Sequence, residues 1–424
     1  MQMIQVVFLT VLVFFVIVTI HEWGHFFFAK RAGILVREFA IGFGPKLLSV
    51  KRGETRYTLR LIPAGGFVRM AGEDPEIVDI QSGQTVAVRL KDNKVTRIFL
   101  DRLDERSDVI RGEVTAIDLE DRLFLTLNVE GAAERFDVHP QAFMVTKGKE
   151  TQIAPVDRQY GSKTVGQRAM AIFAGPLMNF VLAFALFAAY IQMAGVTVSN
   201  PDHLLVNSVV DGMPAAKAEL KKGDRIVSVN GTNIGADYDK MIGIIGKSAG
   251  VPIKLDIVRA GKAMELEMTP VKDPQSGLGK VGITAAYPTR SATFAETISG
   301  SAKLMKQMTI SIFQGFLKII VGDFKLDDLG GPVRTAEVTG QIAKQGITQL
   351  TSWAALLSLY LGIFNLLPIP ALDGSRLVFI GLEALRGRPI DPNRESMVHV
   401  IGFAMLMLLM LAVTYNDILR LVKG

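Results

Sequence analysis

Residues 21–25 read His-Glu-Trp-Gly-His, an HExxH motif whose residue types can hold a metal ion. Residues four apart share one face of a helix, so His21 and His25 can reach one ion while Glu22 contacts a water beside it. Packed or interfacial histidines are the alternative interpretation. Residues 1–20 carry no charged side chain, as in a membrane helix, and His21 lies about 13 Å from Lys30 at about 1.5 Å per residue. Polar groups at that depth are costly without partners, so the motif predicts a metal site.

Two imidazoles leave such a site incomplete, because catalytic zinc takes three protein ligands and a water. The chain has no cysteine, so a further ligand must be a histidine or a carboxylate. Asp373 is a charged residue within an apolar stretch, in the sequence Asn365-Leu-Leu-Pro-Ile-Pro-Ala-Leu-Asp373-Gly374. A carboxylate there costs roughly 2.5–3.5 kcal/mol, which coordination would offset. Asp373 could also cap a helix that begins near Ser375, and the two roles are compatible.

The remaining histidines are weaker candidates for a metal site. His139 and His203 occur in polar stretches, where solvent-exposed loops are the expected structure. His399 follows Arg394 at the start of an apolar stretch, which favours an interfacial position. We therefore predict that none of the three is a ligand.

Composition and hydropathy indicate a membrane protein. Hydrophobic residues are 49% of the 424 residues and charged residues 21%. With 40 glycines added, the apolar share exceeds the about 45–50% of soluble domains. A membrane helix takes about 20 apolar residues. Four stretches without charged side chains predict such helices: Met1–Ile20 with its continuation through Phe28, Met170–Ala194, Trp353–Leu367 and Ser396–Asn416.

Basic residues border these predicted spans unequally. They follow the first span, precede the second, and fill the link between the third and fourth: Lys30, Arg31, Arg37, Lys163, Arg168, Arg386, Arg388 and Arg394. Cytoplasmic loops carry such an excess, so we expect residues 30–168 inside the cell and the loop from about 196 to 350 outside. Because the basic residues lie beside apolar segments, the net charge of +6 predicts a lipid bilayer as partner and no nucleic acid.

The two large polar regions both contain strand patterns. In the first, Leu123, Leu125, Leu127 and Val129 alternate with polar residues, as in a half-buried strand. In the second, alternating stretches flank turns at Asn230-Gly231 and Ala260-Gly261, and a short helix is predicted between Asp211 and Leu220. The sequence thus predicts a β-rich domain on each side of the membrane.

Taken together, the motifs resemble those of the site-2 protease family of intramembrane zinc metalloproteases, in particular its bacterial RseP/RasP-like branch. The resemblance covers nearly the whole chain, and the segment with the Gly-Asp-x-Ile-x-x-Val-Asn-Gly signature is similar to a single PDZ domain. Six motifs carry it in the family's order: His21-Glu-Trp-Gly-His25, Gly42-Phe-Gly-Pro45, Pro63-Ala-Gly-Gly-Phe-Val-Arg-Met70, Ala174-Gly-Pro-Leu-Met-Asn179-Phe180, Leu329-Gly-Gly-Pro-Val333 and Asn365-x-x-Pro-x-Pro-x-x-Asp373-Gly374.

The resemblance implies a role for each of these site residues. It implies a zinc ion held by His21, His25 and Asp373, with Glu22 as the general base. It also implies that the stretch from Gly42 to about Leu61 is a membrane-associated hairpin that presents the substrate strand. Two further residues, Asn365 and Pro368, are implied to bind the unwound substrate, whereas Asn179 is expected to serve packing.

The implied fold is a polytopic α-helical membrane protein with four transmembrane helices, a membrane-associated β-hairpin, a cytoplasmic β-rich insert and an extracytoplasmic PDZ domain. A long insert at about 81–158 and one PDZ unit distinguish the chain from the two-PDZ form of the branch. The predicted segments are a first helix (1–29), a cytoplasmic region (30–168), a second helix (169–195), the PDZ domain (196–275), a juxtamembrane helical region (276–350), a third membrane segment (351–385), and a link with the fourth helix (386–424).

The implied function is hydrolysis of peptide bonds within transmembrane segments of single-span proteins that a first cleavage has shortened. Anti-sigma factors and signal-peptide remnants are the implied substrates, and the active site is expected nearer the cytoplasmic side of a bacterial cell membrane. Two other classes remain open on the residues alone. A PDZ adaptor with a structural metal site would need a fourth protein ligand, and a transporter with a helix broken at Pro368–Gly374 would often show an inverted repeat.

Overall fold

The computed structural model describes residues 3–73, 80–274, 276–322, 330–388 and 390–423. Met1 of the first predicted span and Leu329 of the predicted Leu-Gly-Gly-Pro-Val motif lie outside the described residues. The chain divides into one compact unit formed by Met1–Phe187 with Ala302–Gly424 and another formed by Ala188–Ser301. The helices are α1 (Met3–Arg31), α2 (Val165–Ala194), α3 (Pro214–Lys217), α4 (Tyr238–Lys247), α5 (Phe294–Ile320), α6 (Pro332–Gln345), α7 (Ile347–Asn365), α8 (Asp373–Arg386) and α9 (Pro392–Lys423).

Four helices among the described residues are long and apolar enough to cross a membrane, which confirms the predicted number of spans. They occupy Met3–Arg31, Val165–Ala194, Ile347–Asn365 and Arg394–Val422. The third ends at Asn365 rather than at the predicted Leu367, because Pro368 disfavours a helical conformation in the residues before it. The predicted interruption is confirmed, since the chain turns over residues 366–372 before α8 begins.

A β-hairpin of unusual pairing follows α1. Its strands are β1 (Val36–Arg52) and β2 (Thr55–Met70). The first part of β1 pairs with both ends of β2, so that Ile41 lies opposite Leu59 and also opposite Gly66. The last residues of β2 therefore form an outer strand beside the first part of β1.

The insert folds as a sheet that closes on itself. Its strands are β3 (Thr85–Lys91), β4 (Lys94–Phe99), β5 (Ile110–Asp118), β6 (Phe124–Val129), β7 (Ala132–Thr146) and β8 (Lys149–Gln152). They lie in the order β4-β3-β5-β6-β7-β8, and β4 also pairs with β7. Leu125 and Leu127 are fully buried, as the alternating pattern predicts. His139 lies within β7, so its predicted position in a loop is wrong.

The second unit contains the strands β9 (Val196–Thr197), β10 (Leu204–Val209), β11 (Arg225–Val229), β12 (Thr232–Asn233), β13 (Ile253–Arg259), β14 (Lys262–Met268), β15 (Val271–Lys272), β16 (Gly279–Lys280), β17 (Ile283–Ala286) and β18 (Thr289–Arg290). Its main sheet is antiparallel, with the strand order β14-β13-β11-β10-β17. Both predicted turns join paired strands, and α3 is the predicted short helix. The sheet continues beyond residue 275, the predicted domain end, because β17 pairs with β10.

Helix α9 carries a buried carboxylate near its end. Asp417 is only 3% exposed, and its Oδ2 accepts a hydrogen bond of 2.9 Å from the backbone N–H of Arg334 in the first turn of α6. The first N–H groups of a helix have no partner within the helix. Asp417 satisfies one of them, which accounts for a buried charge near the end of this span.

Candidate metal centre

The HExxH motif lies on one turn of α1 with its polar side chains buried. His21 is 7% exposed, Glu22 8% and His25 6%. Their spacing places both imidazoles on one face, with 3.2 Å between the two Nε2 atoms. Nitrogen lone pairs this close need either a shared proton or a cation between them.

Asp373 lies against this pair, although it comes from the other end of the chain. Its Oδ2 lies 3.3 Å from Nε2 of His21 and 3.4 Å from Nε2 of His25. Among the described residues, this oxygen is buried without a hydrogen-bond partner. Helix α8 begins at Asp373 itself and Leu372 is its N-cap residue, so the alternative role of Asp373 as the cap is wrong.

The three atoms fit a zinc ion. Zinc in proteins is tetrahedral with bonds of about 2.0–2.1 Å to histidine nitrogen and carboxylate oxygen, which places neighbouring ligand atoms about 3.3–3.4 Å apart. The sides of the triangle formed by the two Nε2 atoms and Oδ2 measure 3.2, 3.3 and 3.4 Å. One carboxylate oxygen and two imidazole nitrogens at these mutual distances form a set of donors suited to zinc.

Both imidazoles are held at their second nitrogen by residues of α2. Nδ1 of His25 lies 2.9 Å from the carbonyl oxygen of Ala171. Nδ1 of His21 lies 3.1 Å from the side-chain amide of Asn179, which is completely buried. Asn179 was expected only to pack, and its polar contact with His21 corrects that expectation. Partners of this kind orient the rings and set which nitrogen carries the proton.

Sterics explain why residue 175 in the Ala174-Gly-Pro motif is a glycine. A Cβ built at residue 175 would overlap Nε2 of His25. Any side chain at this position would therefore displace the imidazole of His25 from its observed position. The same turn of α2 thus supplies the space for His25 and the partner for His21.

A cavity of about 450 Å³ opens beside the three donor atoms. Glu22 and Asn365 line it, as does the outer strand Gly66–Met70, whereas Pro368 is exposed and is not one of the described residues that line it. No described residue in the predicted presenting stretch from Gly42 to Leu61 lines the cavity either. The strand beside the site is the end of β2, because the hairpin extends from Val36 to Met70, beyond the predicted stretch, whose role in presenting substrate stays a prediction.

Two charged residues at the cavity were not singled out in the sequence. Glu73 and Arg376 both line it, and their side chains form an ion pair that joins the end of the hairpin to α8. Arg376 lies one helical turn after Asp373. The sequence could indicate Arg376, because a basic residue lies one turn beyond a candidate ligand. Its partner Glu73 could not be identified without the tertiary structure.

Metal donors and a buried glutamate on a helix long and apolar enough to cross a membrane indicate a class of protein, the metal-dependent hydrolases that act within the membrane. Residues 9–409 match peptidase family M50. The chain belongs to this family, the site-2 type of zinc metallopeptidase, and zinc is its cofactor. The adaptor and transporter alternatives are therefore wrong for this chain.

The relatives match over almost their whole length. The chain is similar to Zinc metalloprotease RasP of Geobacillus kaustophilus, with 43% identity over 410 residues and 96% of each chain covered. It is similar to Regulator of sigma-W protease RasP of Bacillus subtilis, with 42% identity over 418 residues and 97% of each covered. A solved PDZ domain of the SdrC-like protein from Listeria monocytogenes is 26% identical, with 22% of this chain and 94% of that one covered and a TM-score of 0.19. The relatives and the four apolar helices identify a bacterial membrane protein and an intramembrane protease.

Proposed function

We propose that His21, His25 and Asp373 hold the zinc ion and that Glu22 is the general base of peptide-bond hydrolysis inside the membrane. The observation that carries this proposal is the 3.2–3.4 Å triangle of donor atoms beside a buried glutamate in one cavity. Bound zinc supplies a Lewis acid that polarises a carbonyl and makes water more acidic. Glu22 takes a proton from the attacking water and returns it to the leaving amide nitrogen.

The contacts of α2 support the assignment of the ring nitrogens. Because a carbonyl only accepts, the Ala171 oxygen requires a proton on Nδ1 of His25 and leaves the lone pair of Nε2 for the metal. For His21 the same state requires the amide oxygen of Asn179 to accept from Nδ1. In the structure Nδ2 of Asn179 lies 3.1 Å from Nδ1 of His21, and Oδ1 is buried without a hydrogen-bond partner within the described chain. The two ends of an amide are exchanged by rotating the side chain, and we assign the oxygen towards His21 because a metal on Nε2 leaves the ring proton on Nδ1.

The substrate binds as an added strand in this proposal. A helical peptide bond has its carbonyl tied into the helix, so the substrate must unwind before the bond can be attacked. Pairing with the outer strand Gly66–Met70 would expose the bond and satisfy the backbone groups that unwinding releases. Asn365, which lines the same cavity, has a side-chain amide that can hydrogen-bond to the extended segment. Substrates with glycine or proline in the span should be cut faster, because they unwind at lower cost.

The substrates are proposed to be single-span membrane proteins shortened by a first cleavage. The name of the Bacillus subtilis relative, Regulator of sigma-W protease, supports membrane-embedded anti-sigma factors, and remnant signal peptides have the same chemistry. The unit Ala188–Ser301 is proposed to be an extracytoplasmic PDZ domain that admits only shortened substrates. The basic residues that flank the spans support this orientation and an active site nearer the cytoplasm.

The test is cleavage of a single-span reporter by the purified full-length protein. We expect the wild-type protein to cleave it, a chelator to stop cleavage, and added zinc to restore it. Glu22→Gln should keep its zinc and lose at least about 10²-fold in rate, the contribution typical of a general base. Glu120→Gln, at an exposed glutamate of the insert, is the matched control and should cleave normally. Turnover by Glu22→Gln at the wild-type rate would remove Glu22 from the mechanism.

A further inference from the structure

Helix α9 contacts the loop that leads into Asp373, the first residue of α8. Nδ1 of His399 accepts a hydrogen bond of 3.1 Å from the backbone N–H of Ala371, two residues before the proposed ligand. The side chain of His399 is 17% exposed. Its other nitrogen, Nε2, is buried without a hydrogen-bond partner among the described residues and lies 3.7 Å from Oε1 of Glu395, one turn earlier on the same helix. The hydrogen bond between this ring and the loop is therefore the one that Nδ1 accepts.

The residue that His399 holds has a strained backbone. Ala371 adopts a φ of 75°, in the left-handed region that residues other than glycine rarely occupy. Such a conformation persists only where surrounding contacts hold it, and these residues concentrate at functional sites. The direction of the chain at Ala371 determines where α8 begins and thus where the Asp373 carboxylate points.

Two further contacts of α9 support the same loop and the helix after it. Gly402 lies one turn after His399 on the same face of α9, and a Cβ built there would overlap the ring of Pro370. The His399 ring also meets Phe379 of α8 edge-on, with 5.7 Å between the ring centroids. One face of α9 thus contacts Pro370, Ala371 and α8 together.

We propose that His399 is a positioning residue for the metal centre. By accepting the Ala371 N–H it holds the left-handed turn and so fixes the carboxylate of Asp373 opposite His21 and His25. The inference rests on the proposed role of Asp373 as a ligand. It assigns the fourth span a part in building the site, although α9 supplies no ligand among the described residues.

The test is zinc affinity of the purified full-length protein, measured by competition with a chromogenic chelator. His399→Leu keeps much of the packing and removes the acceptor, and we expect a 10–100-fold weaker affinity, as for loss of an outer partner at other metal sites. His399→Asn places its amide oxygen where Nδ1 lies, so its zinc affinity should stay within about threefold of that of the wild type. His399→Gln places its amide nearer the position of Nε2 and should resemble His399→Leu.

A second pair of variants tests the path through the loop. Glycine adopts the left-handed conformation freely, so Ala371→Gly in the His399→Leu background should recover at least half of the lost affinity on a logarithmic scale. Gly402→Ala should weaken zinc binding by pushing Pro370 while His399 is intact. This variant tests the contact of α9 with the loop, and the contrast between His399→Asn and His399→Gln tests the hydrogen bond if His399→Leu does not fold.

The outcomes separate this inference from the proposed ligand set. If Asp373→Asn weakens zinc binding while His399→Leu and Gly402→Ala bind zinc as the wild type does, the positioning role is wrong and the ligand set stands. If the Leu, Asn and Gln variants of His399 all lose zinc affinity to the same extent, the effect is steric and the hydrogen-bond role is wrong. If Asp373→Asn binds zinc normally, the proposed ligand set itself fails.

Discussion

Oδ2 of Asp373 lies 3.3 Å from Nε2 of His21, although the two residues belong to the first and the last thirds of the chain. Helix α1 supplies the histidine, and the first residue of α8 supplies the carboxylate. Neither side chain would be stable alone at this depth, because a buried polar group needs a partner. Their approach, completed by His25, is the physical basis of the zinc site that we propose.

Asn179 should be necessary for tight zinc binding. Asn179→Leu removes the partner of Nδ1 of His21, so the ring loses its fixed orientation, and zinc affinity should fall about 10–100-fold. Asn179→Asp keeps an acceptor at the same place and should retain most of the affinity. A donor role for the amide predicts the opposite, with Asn179→Asp as damaging as Asn179→Leu. Chelator competition on the three proteins distinguishes the two orientations.

Gly175 should not tolerate even a single methyl group. Gly175→Ala would displace the imidazole of His25, and we expect zinc affinity to fall at least about 10-fold while the protein remains folded. Gly166→Ala is the matched control, because a Cβ at that position meets nothing within 4 Å. Equal zinc affinity in both variants would contradict the close approach of α2 to His25.

The hairpin should lose stability in acid through Glu54. Arg158 donates to both carboxylate oxygens of Glu54, at 2.5 and 2.7 Å, and lowers its pKa from 4.5 to about 2. A depressed pKa means that the stabilisation is complete above the unfolded value and is lost as pH falls towards the folded one. For this partly exposed pair we expect roughly 1 kcal/mol or less.

Thermal unfolding against pH tests this ion pair. Glu54→Gln should have a lower Tm than the wild-type protein at pH 7, and the difference should shrink as the pH is lowered below about 4.5. A difference that stays constant from pH 7 to pH 3 would show that the carboxylate charge does not contribute. Arg158→Gln should also lower the Tm at pH 7, because it breaks the same ion pair.

The local parts of the site could be predicted from the sequence. HExxH spacing places two histidines on one helical face by the periodicity of the helix alone, and the structure has them so. Asp373 could be found because a charge within an apolar stretch needs an explanation. The same reasoning applies to Asn179, a polar residue in a membrane helix, but its partner lies on another helix and leaves no trace in the local pattern.

The parts set by tertiary pairing could not be predicted. The pairing of Ile41 with both Leu59 and Gly66 depends on how the strands fold over each other. The observed hairpin therefore extends beyond the predicted stretch, as far as Met70. His399 looked interfacial because its neighbours are apolar and basic, whereas its contact with Ala371 depends on the packing of α9 against the loop.

Bound zinc per chain in purified wild-type, Glu22→Gln and Asp373→Asn proteins tests the central claim most directly. The three donors predict one zinc per chain in the wild type and in the inactive Glu22→Gln. They predict that Asp373→Asn loses more affinity than the about 100-fold typical of an outer partner, because a direct ligand is removed. Wild-type zinc content and affinity in Asp373→Asn would contradict a site in which His21, His25 and Asp373 share one ion.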